Sequence, residues 1–576
     1  MVIKPKPGFH NSRSVPGRIA GVLSTGSWVI AGLWASLLAV VTAVTYLGSE
    51  GSFDYVEGVT LGHQLMLADG LPLYETARDQ PPFSVPLYGP LFYWINGLML
   101  DPDAVSLITS RVLNLLATLF LCALAFILAR QRLGTGIGAA LLASILWLIL
   151  EPAATFLLQN RPDTLALAFG AGGFAMATSR HRLALSGAAL MLTAAAYTKQ
   201  MAVVAPLVAA LLVLVSEKRL REAVLFFFMT AGFGLTALVV LNIMTGGSYW
   251  DSAIASNLNG FAPGSALQAW IKAGRQPLFW LALLAMLYQL RSPGAHRAIS
   301  LFGLVSLAVH GLAVGKVGAN SNYFLEYSWC AALALAPLFD RLIRQATANT
   351  AHVMLTIVVM LASVHSLSQA TTSLKHLRET AALWPDYIEW LNEWQQSVCG
   401  PVASIRPGAQ LLQGFEPYIL DPHIIARLSE QNDFDESMLI EDLEKGNIAA
   451  VIAAEDITAS PGAFSNWSIA VRNAVAQHYV KADAFGYLSV WVAKTSTDTD
   501  CNRPATVGSS QSLSEPDRPV YTVTSKPESA TWSLSGARYR TRTHTTAIDR
   551  YSRRLRRTIL TAICTWVPAD RGTTSR

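Results

Sequence analysis

Charge is what this sequence has least of. Only 14% of its 576 residues are Asp, Glu, Lys or Arg, where a soluble globular chain carries roughly 25%. With 52% hydrophobic residues, that shortfall excludes an ordinary soluble enzyme and points to a membrane protein. Cysteine is scarce too. Cys122, Cys330, Cys399, Cys501 and Cys564 lie far apart with no CxxC spacing, so neither a zinc site nor a disulfide framework is indicated. No internal repeat is evident, which removes solenoids and propellers. The net charge of +5 does not imply nucleic acid, because the basic residues gather at the ends of apolar runs.

Those runs are the main content of the chain. Candidate spans are 27–47, 106–129, 135–151, 163–179, 183–198, 200–216, 223–245, 276–290, 298–314, 322–340 and 350–369, most of them near the roughly 17–25 residues that a bilayer demands. Lys4, Lys6, Arg13 and Arg18 precede the first, which is too long for a signal-peptide core of about 7–15 residues and reads as an uncleaved span. Arg130/Arg132, Arg180/Arg182, Lys218/Arg219/Arg221, Arg291/Arg297 and Arg341/Arg344 mark alternate loops. The positive-inside rule puts them, with residues 1–26, in the cytoplasm. The same rule splits 183–215 into two crossings, with Thr198–Gln200 outside. It makes 86–100 an interfacial or re-entrant helix, with Tyr88, Phe92, Tyr93 and Trp94 at headgroup level. The expected fold is an α-helical polytopic membrane protein of about eleven transmembrane helices over 27–371.

Residues 372–496 read as a small extracytoplasmic α/β domain. Helical patterns cover Leu374–Val398, Glu436–Lys445 and Trp467–His478, and strand patterns cover Val402–Ile405, Ile448–Ala454, Tyr479–Ala482 and Tyr487–Ala493. Residues 497–576 are rich in Ser, Thr, Arg and Pro with little apolar periodicity, the composition of a disordered tail. Asn466-Trp-Ser468 matches a glycosylation acceptor triplet, a pattern frequent by chance.

The outer segments hold the candidate chemistry. The first outer loop, 48–105, carries Glu50, Asp54, Glu57, Asp69, Glu75 and Asp79 against Arg78. Asp54 and Glu57, three apart, share a face if the stretch is helical. A carboxylate there can accept the proton of an attacking hydroxyl, or hold a divalent ion through oxygen. In Gln159–Asp163, helix capping explains Pro162 and Asp163, while Arg161 offers a planar fork suited to phosphate. Lys199 is a cation squeezed between two apolar runs, a functional candidate by its position. In Gly315–Glu326, two glycines permit a tight backbone, and Lys316, Asn320, Asn322 and Glu326 offer polar contacts. Glu326 falls inside the next span and requires a partner or a wet cavity. His63 and His310 read as packing or hydrogen-bonding residues. Acids in one outer loop facing cations in three other turns suit transfer from a lipid phosphate: acid for the acceptor, cations for the departing phosphate.

With these residues in hand, the sequence resembles polytopic glycosyltransferases of the GT-C superfamily. It looks similar to the bacterial dolichyl-phosphate-mannose-protein-mannosyltransferase-like and RgtA/B/C/D-like proteins. The resemblance is carried by Tyr55-Val-Glu-Gly58, Asp69-Gly-Leu-Pro-Leu-Tyr74, Tyr88-Gly-Pro-Leu-Phe-Tyr93, Arg161-Pro-Asp163, Thr198-Lys-Gln200 and Gly315–Glu326. It implies inverting transfer of a sugar from a polyprenyl phosphate to a glycan, lipid or protein acceptor outside a bacterial plasma membrane, with a first-loop acid as base. Relatives often have adjacent Asp-Glu; here Tyr55 and Val56 separate Asp54 from Glu57, and the spacing to Gly70 favours Glu57. The resemblance makes Arg161, Lys199 and Lys316 binders of the lipid phosphate and Asp163 a contact for acceptor or metal. Tyr88, Asn322 and Glu326 complete the expected substrate-binding set. The competing expectation is a transporter or lipid flippase, which would place its ionisable groups near the midplane.

Overall fold

The computed structural model describes residues 15–74, 80–181, 184–258, 260–344, 350–454, 456–457 and 466–494. Glu75, Arg78, Asp79 and the tail 497–576 lie outside the described residues, as do the first fourteen. In chain order the helices begin with α1 (Val15–Gly48), α2 (Tyr55–Ala68), α3 (Pro90–Gly97), α4 (Ile108–Ile127), α5 (Ile137–Leu146), α6 (Ala153–Phe156) and α7 (Asp163–Ala177). They continue with α8 (Ala184–Thr198), α9 (Val204–Ser216), α10 (Leu220–Met244), α11 (Pro263–Gly274), α12 (Pro277–Gln289), α13 (Ala295–Ala313), α14 (Leu325–Arg344) and α15 (Thr350–Ser397). Each sequence-predicted span falls on a helix. Among the described residues, five helices are long and apolar enough to cross a membrane, which makes this an integral membrane protein. The outward faces agree: Val29, Leu33, Leu37, Val40 and Val44 of α1 are all exposed, as suits a surface solvated by lipid.

The basic loops meet at one end of the bundle. Arg132 donates to Thr178 Oγ1 at 2.9 Å, and Arg219 donates to the Ser179 carbonyl at 2.8 Å. The Gly136 N–H donates to Asp340 at 2.8 Å, with Arg344 on the same carboxylate. The starts of α2, α7 and α14 and the α8–α9 turn come together at the opposite end, as the contacts of the next subsection show.

α15 is one helix of 48 residues, about 70 Å long at 1.5 Å per residue. The predicted span 350–369 and the predicted helix 374–398 are its two parts. A bilayer core takes up about 30 Å of such a rod, and the remainder leads to a four-stranded sheet. β1 (Val402–Ser404), β2 (Ala450–Ala453), β3 (Tyr479–Phe485) and β4 (Leu488–Ala493) stand in the order β1-β2-β4-β3. β1 and β2 are parallel, while the other two pairings are antiparallel. Central β2 is buried along its whole length, hence its run of small and branched apolar residues. Helices α16 (Pro407–Leu412), α17 (Pro422–Glu430), α18 (Ser437–Lys445) and α19 (Ile469–His478) flank the sheet. The sequence reading missed the short α16 and α17. It also missed that Cys399 is disulfide-bonded, because nothing in the local spacing around Cys399 points to a bridge.

Sheet and bundle belong to one compact unit. The first loop is what joins them. Phe83 N–H donates to the Tyr418 carbonyl at 3.1 Å, and Leu420 N–H donates back to the Phe83 carbonyl at 2.8 Å. α2 and α16 touch backbone to backbone: a Cβ on Gly58 would sit 2.6 Å from Gly408 N, and one on Gly408 would sit 2.5 Å from Gly58 Cα. α3 packs against α2, α8 and α4, so Phe92 and Tyr93 are buried at 0% and 1% exposure. Of the aromatic residues expected at headgroup level, the protein covers these two itself and leaves Trp94 exposed.

Candidate active site

α2 starts because Asp54 caps it, Oδ1 accepting from the Val56 N–H at 2.9 Å. Glu57, in the first turn where the helix dipole favours an anion, turns into the bundle. Its Oε1 accepts from Arg111 Nε at 3.1 Å and the Asn160 N–H at 2.8 Å. Its Oε2 accepts from Arg111 Nη2 at 3.0 Å and the Phe53 N–H at 2.7 Å. The remaining Arg111 donors go to the carbonyls of Tyr46, Ser49 and Gly51, so all N–H groups of the guanidinium are used. Neither side chain of the pair has any exposed surface. The expectation that Glu57 is the base does not fit this geometry. Its carboxylate is saturated with donors and walled off, and it works as a clasp joining the end of α1, the start of α2, α4 and the turn before α7. Arg111 was the available sequence signal, an arginine inside a predicted span, where an ionisable residue requires a partner.

Asp54 and Asp163 anchor an alternating chain of charge. Asp54 Oδ2 pairs with Arg161 Nη1 at 3.0 Å, and Arg161 Nε pairs with Asp163 Oδ2 at 3.1 Å. Asp163 Oδ1 takes Lys199 Nζ at 2.5 Å and Asn322 Nδ2 at 2.6 Å. Burial would lower the pKa of Arg161, but Asp54 and Asp163 outweigh it and hold the guanidinium above its usual range. Burial likewise opposes the Lys199 charge, and Asp163 more than restores it. Both cations are therefore fixed in place and permanently charged.

Arg161, Lys199 and Lys316 line one cavity of about 320 Å³, together with Tyr88 and Asn322. Lys316 reaches it from a turn built by two glycines. Gly318 takes φ +83°, and Gly315 lies so close to the Phe261 ring that a Cβ would come within 2.1 Å of it. Lys316 Nζ donates to Asn257 Oδ1 at 2.8 Å and pairs with no carboxylate among the described residues. Burial first, then the Lys199 charge, push its pKa down to about 8.

Neither Glu57 nor Asp54 lines this cavity. Asp421, which sequence reasoning missed, does, with Tyr55, His63 and His423. No local signal marks Asp421; it arrives through the docking of the sheet segment onto α2. Glu326 lies in a small adjoining void with His310, whose Nε2 is 3.7 Å from its carboxylate, and Lys199, Asn322 and Tyr323 line both that void and the cavity. A divalent ion at the first-loop acids does not fit the donor set. The facing oxygens of Asp54 and Asp163 already hold Arg161 and Lys199, and no cluster of three or more metal-binding side chains occurs among the described residues.

Solved structures share this architecture. ArnT from Cupriavidus metallidurans, in a crystal structure bound to undecaprenyl phosphate, superposes with a TM-score of 0.53 at 12% identity, covering 82% of this chain and 99% of ArnT. Its apo form gives 0.54, again at 12% identity, over 81% of this chain and 97% of ArnT. The fold is that of the GT-C glycosyltransferases. The apo oligosaccharyltransferase of Archaeoglobus fulgidus is matched with a TM-score of 0.49 at 12% identity, over 80% of this chain and 73% of that one. No family model and no curated protein matches the sequence. In this chain the Glu57–Arg111 clasp fastens the first loop, and the cations face the cavity.

Proposed function

We propose that this protein transfers a sugar, with inversion, from a polyprenyl-phosphate carrier to an extracytoplasmic glycan, lipid or protein acceptor. One observation carries the reading. Arg161, Lys199 and Lys316, from three distant parts of the chain, converge on a single cavity at the end of the bundle opposite the basic loops. A glycosyl phosphate leaves as a phosphate bearing the electron pair of the broken C–O bond, and preorganised cations stabilise that charge most where water is excluded. Asp54 and Asp163 hold two of these cations in position, and Lys316, without an anionic partner among the described residues, is left for the ligand. An acceptor hydroxyl attacks the anomeric carbon from the face opposite the phosphate; the new C–O bond forms as the bond to the phosphate oxygen breaks, and the hydroxyl proton passes to water at the mouth of the cavity. Asn322 and Tyr88 complete the wall on the phosphate side.

Two features favour the extracytoplasmic side. The basic loops at the far end obey the positive-inside rule if eleven crossings are made, and a disulfide at Cys399 suits an oxidising compartment. The fold shared with ArnT, which was crystallised with undecaprenyl phosphate, agrees with a lipid-phosphate donor. The test is transfer of radiolabel from polyprenyl-phosphate sugars onto membrane lipid, glycan or protein. Lys199→Ala is expected to lower the rate about 100-fold or more, the usual loss when one charge-stabilising donor is removed. Absence of transfer with every donor, combined with solute uptake by the same membranes, would replace this reading with transport.

A further inference from the structure

The cavity has a second end that the phosphate does not explain. Asp421 is the one carboxylate among its described lining residues and is only 5% exposed. Its Oδ1 accepts from the Tyr55 hydroxyl and from the Ile424 N–H at 3.1 Å, while its Oδ2 has no partner among the described residues. Thr60 and His63, one turn apart on α2, line the same cavity. Each is 1% exposed, and Thr60 Oγ1 and His63 Nδ1 are buried with no partner among the described residues; His63 Nε2 is held by Ser84 Oγ at 2.5 Å. Buried polar atoms left without partners are destabilising, and several around one cavity call for a ligand that supplies their hydrogen bonds.

We propose that Asp421, Thr60 and His63, with Tyr55 orienting Asp421, form a carbohydrate-hydroxyl subsite that binds the sugar of the lipid-linked donor. The segment that carries the sheet is thereby a working part of the active site. This rests on the glycosyl-transfer reading for the phosphate half of the ligand. The donor set matches a sugar ring: a carboxylate oxygen that accepts, a hydroxyl that donates and accepts, and a neutral imidazole. Val56, Val59 and the aromatic Tyr93 supply apolar wall for the C–H faces of the ring. A second phosphate is disfavoured beside Asp421, so the two ends of the cavity sort the two halves of a glycosyl phosphate. The position of Asp421 is enforced by the hydrogen bonds between Phe83 and the 418–420 segment and by the contact between Gly58 and Gly408.

The subsite titrates in a readable window. Burial raises Asp421 to about 6, with Tyr55 and the Ile424 N–H pulling the other way. The groups around it are Tyr55 of α2, Tyr93 of α3, His63 and the adjacent His423, with Lys316 across the cavity. Burial takes His63 down to about 3, and Lys316 changes charge near 8, so neither overlaps with Asp421. Above about pH 6 the carboxylate accepts hydroxyls; below it that acceptor is lost.

The experiment compares affinities of the full-length protein in nanodiscs for bare undecaprenyl phosphate and for undecaprenyl phosphates carrying mannose, glucose or arabinose. The expected result is a sugar-dependent gain of about tenfold or more with at least one of these, the worth of a hydrogen bond to a charged group. That gain falls away below about pH 6 and is absent in Asp421→Asn, which keeps the N-cap acceptor of α17 and still binds the bare lipid. Tyr55→Phe removes a hydrogen bond that lowers the Asp421 pKa, so it moves the loss of the gain to higher pH. Equal gains in wild type and Asp421→Asn would overturn the subsite and leave the phosphate reading intact, as would wild-type affinities that are the same with and without every sugar. Failure to bind even the bare lipid would overturn both.

Discussion

At the scale of single residues, the structure separates acids that organise the site from groups that face a ligand. Glu57 is an organiser. Glu57→Gln replaces a carboxylate acceptor by an amide that donates toward Arg111, and breaking a buried ion pair of this kind costs about 3–5 kcal/mol. The expected outcome is a lower thermal unfolding midpoint in detergent, with loss of lipid-phosphate binding only as the fold is lost. Full thermal stability together with abolished transfer would instead make Glu57 catalytic. Lys316 is a cavity-facing group, and its charge gives a pH signature of the opposite sign to that of Asp421. A lysine depressed to about 8 is protonated below that pH and neutral above it. Affinity for bare undecaprenyl phosphate should therefore be strongest below pH 8 and fall as pH rises through it. Lys316→Arg, charged throughout, should hold its affinity to pH 10; an unchanged fall in that variant would assign the titration elsewhere. Arg161, Lys199 and Lys316 were legible in the sequence because a cation on the outer side of a membrane bundle has no topological role. Arg111 carried a signal of its own, a charge inside an apolar run, but not the identity of its partner; Asp421 carried none, since it gains its meaning from a contact across more than three hundred residues.

At the scale of elements, α2 carries most of the design. It begins at the Asp54 cap and ends at Gly70, whose φ of +74° is the left-handed conformation common after a helix. In between it is packed by the bundle, by α3 and by the sheet segment, which is why residues from Glu57 to Met66 are all buried. Composition alone did not foretell this burial, because the partner covering this helix lies beyond α15. The spans were legible for the converse reason: each is a local apolar run between charged ends, and local periodicity is enough to define it. Gly58 makes the docking of α2 testable. Its added Cβ in Gly58→Ala would meet the Gly408 backbone at 2.6 Å, and backbone cannot rotate aside as a side chain can. Overpacking of that kind typically costs about 1–3 kcal/mol. The variant should lose the sugar-dependent part of donor affinity before it loses bare-lipid binding, because the junction it opens sets Asp421 and not the cations. Equal losses of both would show that the whole cavity depends on this contact.

At the scale of the whole molecule, the arrangement assigns its two ends to different tasks. One end gathers Arg132, Arg219 and Arg344 against carbonyls and carboxylates of neighbouring helices; the other gathers the cations that face the cavity. Alternating basic loops predicted this segregation, and eleven crossings follow from it if the sequence charges set orientation. Sidedness is measurable one position at a time with a membrane-impermeant maleimide. Leu258→Cys is at an exposed position shortly before Phe261, which bridges to Lys316, and it should label in intact cells. Ser216→Cys, at the exposed end of α9 beside Arg219, should label only after the membrane is opened. The reverse pattern would put the cavity in the cytoplasm, where an extracytoplasmic acceptor could not reach it. Labelling of both from the same side would contradict the bundle itself, since the Leu220–Met244 helix separates these positions by 25 residues, about 37 Å of helix and enough to cross a bilayer core of about 30 Å.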